Sequence, residues 1–404
     1  MLWKLARRNL VRQRTRTAMT LFAIVVGVTS LILAGGFVAD MITQLGEAFI
    51  GSQTGHLQIA TPAYFGSSNR PAEELLLKDV ASLKRQVATV PHVRDVMGRL
   101  SFTGVVNNGK RDYSILGQGI QPSSENQLGQ QIQIVAGRNL KDEDESGVMI
   151  GEGLAATMGL HDGDVVTLVA STPDGALNTA DLDVIGIFRS FSKDYDARAV
   201  RITLQSAQNL LATDKVNLLV ARLDQTRNTD LVANQMRALP ALRSLTVREW
   251  YTLSDFYSKT VELYQRQFGV LQFIVLAMVL LSVANSVNMS AFERIAEFGT
   301  MRALGTKHRE VMLLILAESV VLGFAGAVLG MLLGALAALA ISMIGIPMPP
   351  VPGSEMGYTA HISLAFTSIA SAGLIGFTAT VLASIPPALR SCRIPLVDAL
   401  RRAI

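Results

Sequence analysis

The 404-residue sequence predicts a membrane α-helical protein with four transmembrane helices and a large extracytoplasmic α+β domain of two subdomains. Three observations carry that prediction. Half of the residues are apolar and only 17% are charged, where a soluble chain runs near a quarter. The apolar residues gather into four runs of the length a bilayer needs, about 20 residues each. The basic residues sit at the ends of those runs, so that with a net charge of only +4 their placement matters more than their number.

The first run, Ala18 to Val38, carries no charge, and the first span is placed at 18–41. Before it, in 1–17, Leu2, Leu5, Ala6, Asn9 and Leu10 set against Lys4, Arg7, Arg8 and Arg12 read as an amphipathic helix on the inner leaflet. The second span is placed at 268–289 and the third at 311–346, interrupted only by Glu318. The fourth, 362–385, is expected to stop at Pro386 and Pro387, which lack the N–H a helix interior requires. A cleaved secretory signal would have an apolar run of only about 7 to 15 residues, shorter than the first span.

Orientation follows from the basic residues. Lys4, Arg7, Arg8, Arg12, Arg14 and Arg16 precede the first span without an acidic neighbour, which puts the N-terminus in the cytoplasm. The segment 290–310 then carries Arg294, Arg302, Lys307 and Arg309 on the same side, and the tail 386–404 carries Arg390, Arg393, Arg401 and Arg402. The loop 347–361 has Glu355 and no lysine or arginine, as an external loop should. The expected setting is a bacterial inner membrane.

Between the first two spans lies a hydrophilic segment, 42–267, long enough for a pair of domains. Cys392 is the only cysteine, so the segment holds no disulfide and stands on its own core. Strands and helices alternate along it. His56–Ile59 reads as a strand, Glu73–Val90 as an amphipathic helix, and Val93–Val106 with Arg111–Gly117 as a hairpin turned at Asn107, Asn108 and Gly109. Val216–Leu223, Thr229–Leu239 and Leu242–Glu249 repeat strand, helix, strand. The parts 42–120 and 214–250 are expected to pair as one α+β subdomain, with 121–213 inserted as a β-rich piece holding Val148–Ile150, Val165–Ala170 and Leu182–Phe188. Trp250–Tyr264 reads as a helix entering the second span, and 251–267 as a stalk.

Sites of chemistry are sparse. Gly104 to Arg111 approaches the phosphate-loop pattern, but Arg111 stands where the metal-binding hydroxyl belongs, and a hairpin explains it better. Gly151, Gly153 and Ala156 match a dinucleotide fingerprint without the acidic residue that would hold the ribose, so a strand-to-helix turn is expected. Asp142, Glu143, Asp144 and Glu145 lack the spacing and turn glycine of a calcium loop. The five histidines are scattered, so no metal, cofactor or catalytic residue is assigned.

Signals within the membrane are stronger. Gly326, Gly330 and Gly334 make overlapping GxxxG steps, with Gly323 a turn earlier, and present a smooth face to a neighbouring helix. Glu318 lies two turns into the third span, where a carboxylate is either functional or reaches back to the interface near Lys307 and Arg309. Ser282, Asn285, Ser286 and Met289 share one face of the second span and read as packing contacts. Glu293, Arg294, Glu297, Arg302, Lys307, Arg309 and Glu310 form a mixed-charge segment suited to an interface.

The stretches LARRNLVRQRTRTAMTLFAIVVGV, ERIAEFGTMRALGTKHREVMLLILAES and SCRIPLVDALR resemble those of the MacB/FtsX-type permeases of ABC transporters. Within the large domain, VAGRNLKDEDESGVMIGEGLA and DLDVIGIFRSFSKDYDARAVRITLQSAQNLL are similar to the lipoprotein-releasing LolC/LolE branch. The resemblance implies that 293–310 couples to a separate ATP-binding cassette subunit and that a second permease subunit, identical or paralogous, completes the membrane part. ATP closure would then move the outer domain without carrying substrate through the membrane core. It further implies membrane lipids and a periplasmic chaperone or adaptor as partners, and no nucleic acid. Residues Ser171 to Asp181, where the LolC type has a longer chaperone-recruiting hook, form only a short loop here. The functions left open are extraction of lipoproteins or other amphiphiles, FtsX-like signalling to a periplasmic hydrolase, and efflux through an adaptor.

Overall fold

The structure, a computed structural model, describes residues 12, 14–66, 72–128, 132–349 and 357–392. The amphipathic reading of 1–17 and the basic tail beyond Cys392 therefore fall almost wholly outside the described residues. Two compact units emerge. The membrane unit contains the described residues up to Ile42, Thr260–Pro347 and those from Thr359 on; the inserted unit is Thr43–Lys259 with the described part of Met348–Tyr358.

Helix α1, Arg14–Phe49, is unbroken for 36 residues, or about 54 Å at 1.5 Å per residue. It closes in a π-helical turn, Ile50–Thr54, whose fold-back is fixed by Gly55 at φ 64° donating its N–H to Ile50 O at 3.0 Å.

The inserted unit follows as β1 (Leu57–Ala60), α2 (Val80–Ala88), β2 (Val93–Asn107), β3 (Asp112–Ile120), α3 (Pro122–Leu128), β4 (Gln133–Gly137) and β5 (Gly147–Gly151). Next come α4 (Glu152–Met158), β6 (Val165–Ser171), β7 (Leu177–Arg189), α5 (Lys193–Asp196), β8 (Ala199–Thr203), α6 (Leu204–Leu210), β9 (Leu218–Leu223), α7 (Thr229–Ala238) and β10 (Thr246–Glu249). The fifteen-residue strand β2 organises them by serving two layers in turn. Its first half pairs with β9, which continues to β1 and β10. The apolar sides of α2 and α7 cover this sheet through Val87, Val232 and Met236 against Leu57, Ile59 and Leu219. Its second half pairs with β3 and β6, and the pairings β3 to β8, β8 to β5, β5 to β7 and β7 to β6 close a barrel around Val106, Val148, Val166, Leu168, Val184 and Ile202. Among the described residues, closure leaves this part without free strand edges except at β4, which extends β7. The β-rich piece expected to begin at residue 121 thus borrows β3 and half of β2 from the segment before it.

Several local expectations need correction. Glu73–Val90 is not one helix: a 3₁₀ turn, Ala72–Leu75, is separated from α2 because buried Leu77 turns aside to donate its N–H to Val216 O at 2.8 Å, and Asp79 takes a left-handed φ of 51°. The strand expected from Leu242 starts only at Thr246, because Pro240 opens a 3₁₀ turn, Pro240–Leu242. The helix expected from Trp250 begins at Asp255, after another 3₁₀ turn, Trp250–Thr252. By contrast, the hairpin expected over Gly104 to Arg111 is present as the β2–β3 turn, with Gly109 at φ 81° at its tip.

In the membrane unit α1 is joined by α8 (Asp255–Glu293), α9 (Ile295–Ala303), α10 (His308–Ile344) and α11 (Phe366–Cys392), with a short ribbon of β11 (Ile346–Met348) and β12 (Tyr358–Ala360). Among the described residues, helices α1, α8, α10 and α11 are the four long and apolar enough to cross a bilayer. Glycine lets α10 approach its neighbours. A Cβ added at Gly326, Gly330 or Gly334 would lie 2.6, 2.7 and 2.8 Å from Ile24, Val28 and Ile32, one ridge of α1, while Gly323 faces Thr380 of α11. Thr29 Oγ1 donates to Gly330 O across the contact at 3.2 Å. Helix α11 does not end at Pro386; both prolines lie within it, as a membrane bundle permits where neighbouring helices and hydroxyls compensate for lost backbone bonds.

Candidate coupling site

Between α8 and α10 the chain turns twice. Arg294 leaves helical geometry at φ −108°, ψ 14°, and starts α9, whose first turn carries Glu297 and last turn Arg302, the signs that suit the helix dipole. Gly305, at φ 97°, ends α9 with its N–H on Arg302 O at 3.0 Å. Lys307 then caps α10, its N–H donating to Glu310 Oε2 at 3.3 Å. Ile295, Phe298 and Gly299 form the buried face of α9, and Phe298 packs with Ala291, Val311, Ile315 and Ala388 from three surrounding helices.

The residues expected to couple to a partner separate into two groups. Arg294 points inward and is 7% exposed; its Nη1 donates to both oxygens of Glu318, each at 2.9 Å, and its Nε to Glu297 Oε2 at 3.0 Å. The guanidinium also lies 5.0 Å from the centre of the Phe298 ring. Glu318, 9% exposed, therefore neither reaches toward Lys307 and Arg309 nor stands alone: it receives Arg294 from across the helix–turn–helix. Beside the pair lies a cavity of about 40 Å³ whose polar lining includes Arg16, Thr20, Ser286, Ser290 and Ser319, roomy and polar enough for water.

The outward group is Lys307, Arg309 and Glu310, all exposed, with Arg302 half-buried and bonded to His308 Nε2 at 3.1 Å. Leu304 stands at the tip, 84% exposed. Leu304 is absent from the residues expected above, although an apolar residue before a turn glycine among basic neighbours was the available signal. Two ties also join this site to the beginning of α1: Arg16 Nη1 donates to Glu293 at 2.8 Å, and Arg12 lies 3.2 Å from Glu297. Arg16 Nη2 also donates to Ser286 O at 3.0 Å, and the Thr20 and Ser286 hydroxyls meet beside it. Asn285 is exposed on α8, away from this cluster. Among the described residues no group of three or more His, Cys, Asp or Glu side chains is placed to hold a metal.

Four helices able to span a bilayer, a large α+β insertion after the first, and a short anchored helix between the second and third make up the architecture to be matched. Residues 17–239 match the MacB-like periplasmic core domain and residues 269–396 the FtsX-like permease C-terminal domain. The chain belongs to the MacB/FtsX-type ABC transporter permeases. It is 23% identical over 336 residues to the lipoprotein-releasing system transmembrane protein LolC of Neisseria meningitidis, covering 79% of this chain and 76% of that one. It is 21% identical over 411 residues to an uncharacterized ABC transporter permease of Methanocaldococcus jannaschii, covering 98% and 96%. The periplasmic region of MacB from Actinobacillus actinomycetemcomitans aligns with 52% of this chain and 94% of its own at a TM-score of 0.36 and 14% identity.

Proposed function

We propose that the chain is the inner-membrane permease subunit of a complex in which a separate ATPase grips α9 and the following turn, and in which the inserted domain, on the outer side, releases lipoproteins or other amphiphiles from the membrane. Both termini lie in the cytoplasm in this reading, in accord with the basic residues flanking the spans. A second permease subunit completes the assembly. The anchoring of α9 carries the proposal: Arg294 ties its inner end to Glu318 in α10, while Arg12 and Arg16 tie the same segment to α1. A push on the exposed Leu304 tip is thus delivered to the base of a helix that runs unbroken to Phe49. Two-state rigid-body motion of this kind needs no path for substrate between the spans.

Reconstitution with the ATPase and a fluorescent lipoprotein tests it. ATP-dependent release is expected, and Leu304→Asp, at a position with little burial to lose, is expected to reduce both ATPase co-purification and release by at least about tenfold. Wild-type co-purification of that variant contradicts the coupling role. The tight β6–β7 turn, in which Thr172 N–H donates to Ala176 O at 2.8 Å, leaves no long hook for a chaperone and supports a second reading: the same motion signalling to a periplasmic hydrolase or adaptor. ATP hydrolysis that proceeds without release favours it.

A further inference from the structure

The end of α1 is held in an unusual way. A helix leaves its last carbonyls without intrahelical donors and carries about half a negative charge there. Part of this need is met locally: the Ser52 hydroxyl donates to Ala48 O at 2.6 Å and Gln58 Nε2 to Thr54 O at 3.0 Å. The other donors come from the strands: Arg99 sits where β2 still pairs with β9, at the margin of the barrel, and Arg201 within the barrel. Arg201 of β8 donates from Nη2 to Ser52 O at 2.6 Å, and Arg99 of β2 donates from Nη1 to Gln53 O.

These two arginines, 4% and 1% exposed, are not equivalent. Arg99 has its own counter-charge, since Nε and Nη2 form a fork on the buried Glu125 carboxylate. Arg201 has none: among the described residues no carboxylate oxygen lies within the 4.0 Å of an ion pair. Its remaining partners are the faces of Phe188 and Tyr195, 5.2 and 5.8 Å from the guanidinium carbon, and the Tyr195 hydroxyl at 3.2 Å from Nε. That hydroxyl is itself spent on Gln118 Oε1, at 2.8 Å. A buried cation without a counter-charge is strongly disfavoured. The negative end of α1 is the compensating charge within reach.

We infer that the C-terminal turn of α1 is the counter-ion of Arg201, and that Arg99 and Arg201 form the joint through which displacement of α1 is imposed on the barrel. Arg99, secured by Glu125, is the fixed side. Arg201 is the side that responds, because a slip of the π-helical turn removes its only strong partner and the barrel must follow to restore it. The π-helical form of this turn suits the role, since such turns are poorly paired and recur at functional sites. The inference rests on the proposed movement of α1, but the contact itself stands on geometry.

Two measurements on the full chain in nanodiscs decide it. In Arg201→Met without nucleotide, hydrogen exchange of the amides at 50–55 is expected to accelerate at least about tenfold while the thermal midpoint of the protein stays level or rises, because the desolvation cost of a buried charge is removed together with its pairing to α1. Unchanged exchange overturns the joint. With the ATPase present and Cys392 replaced by serine, spin labels at Lys110→Cys and Ser371→Cys should report an ATP-driven distance change that Arg201→Met reduces at least about fivefold while ATP hydrolysis persists. An undiminished change in the variant also overturns it. If the wild-type protein itself shows no ATP-driven change, the proposed function fails and the exchange result alone judges the contact. Should Arg201→Met not reach the membrane, Arg201→Lys, which keeps the charge but loses the planar fork, is scored in the same way with about half the effect.

Discussion

Arg294 and Glu318 are two charges kept out of water by each other. Removing one strands its partner, so Arg294→Met alone is expected to cost about 3–5 kcal/mol, whereas Arg294→Met combined with Glu318→Leu should recover most of the loss. Thermal unfolding of the detergent-purified chain measures this; a double variant as unstable as the single would refute the pairing. The sequence exposed Glu318, because a carboxylate in an apolar run is conspicuous, but not its partner. Arg294 stands 24 residues away across a helix and a turn, a separation without periodicity to read.

His56 makes a second case. Its Nδ1 accepts the Leu223 N–H at 3.3 Å, its Nε2 donates to Thr226 Oγ1 at 3.2 Å, and the Thr226 hydroxyl donates on to Glu47 Oε1 at 2.5 Å near the end of α1. Burial, helped by Arg222 and opposed by Asp224, lowers its pKa from 6.5 to about 4. The folded protein then binds fewer protons than the unfolded one between those values, so this stability is complete above pH 6.5 and is lost as the pH falls toward 4, by about 3 kcal/mol in all. Unfolding midpoints measured across that range should fall less steeply in His56→Gln than in the wild type; parallel slopes would show that another group is responsible.

The glycine face of α10 was legible because a four-residue repeat of small residues is a local pattern. Gly330→Leu should separate α10 from α1, since even a Cβ would sit 2.7 Å from Val28. Loss of the monodisperse protein on size-exclusion chromatography is the expected result, and a normal profile would contradict close packing. Other elements were hidden by long-range pairing. Nothing local in β2 indicates that its two halves belong to different layers, because barrel closure depends on β6, more than sixty residues on in the chain. Likewise Leu77 breaks the helix expected over 73–90 only because Val216 offers it a carbonyl. The passage of α11 through Pro386 and Pro387 depends on neighbours the sequence does not name.

For the molecule as a machine, the contacts make a sequence of links. In the proposed reading Leu304 and the basic turn receive a partner; Arg294 fixes α9 to α10, Arg12 and Arg16 connect it to the start of α1, and Arg99 and Arg201 hold the far end of that helix against the strands of the inserted domain. This arrangement is useful only if Leu304 and the inserted domain lie on opposite faces of the membrane. Labelling with a membrane-impermeant maleimide tests that condition directly, using Lys110→Cys and Leu304→Cys with Cys392 replaced by serine. Lys110→Cys should react in intact spheroplasts and Leu304→Cys only after permeabilisation; reaction of both from the same side would contradict the account.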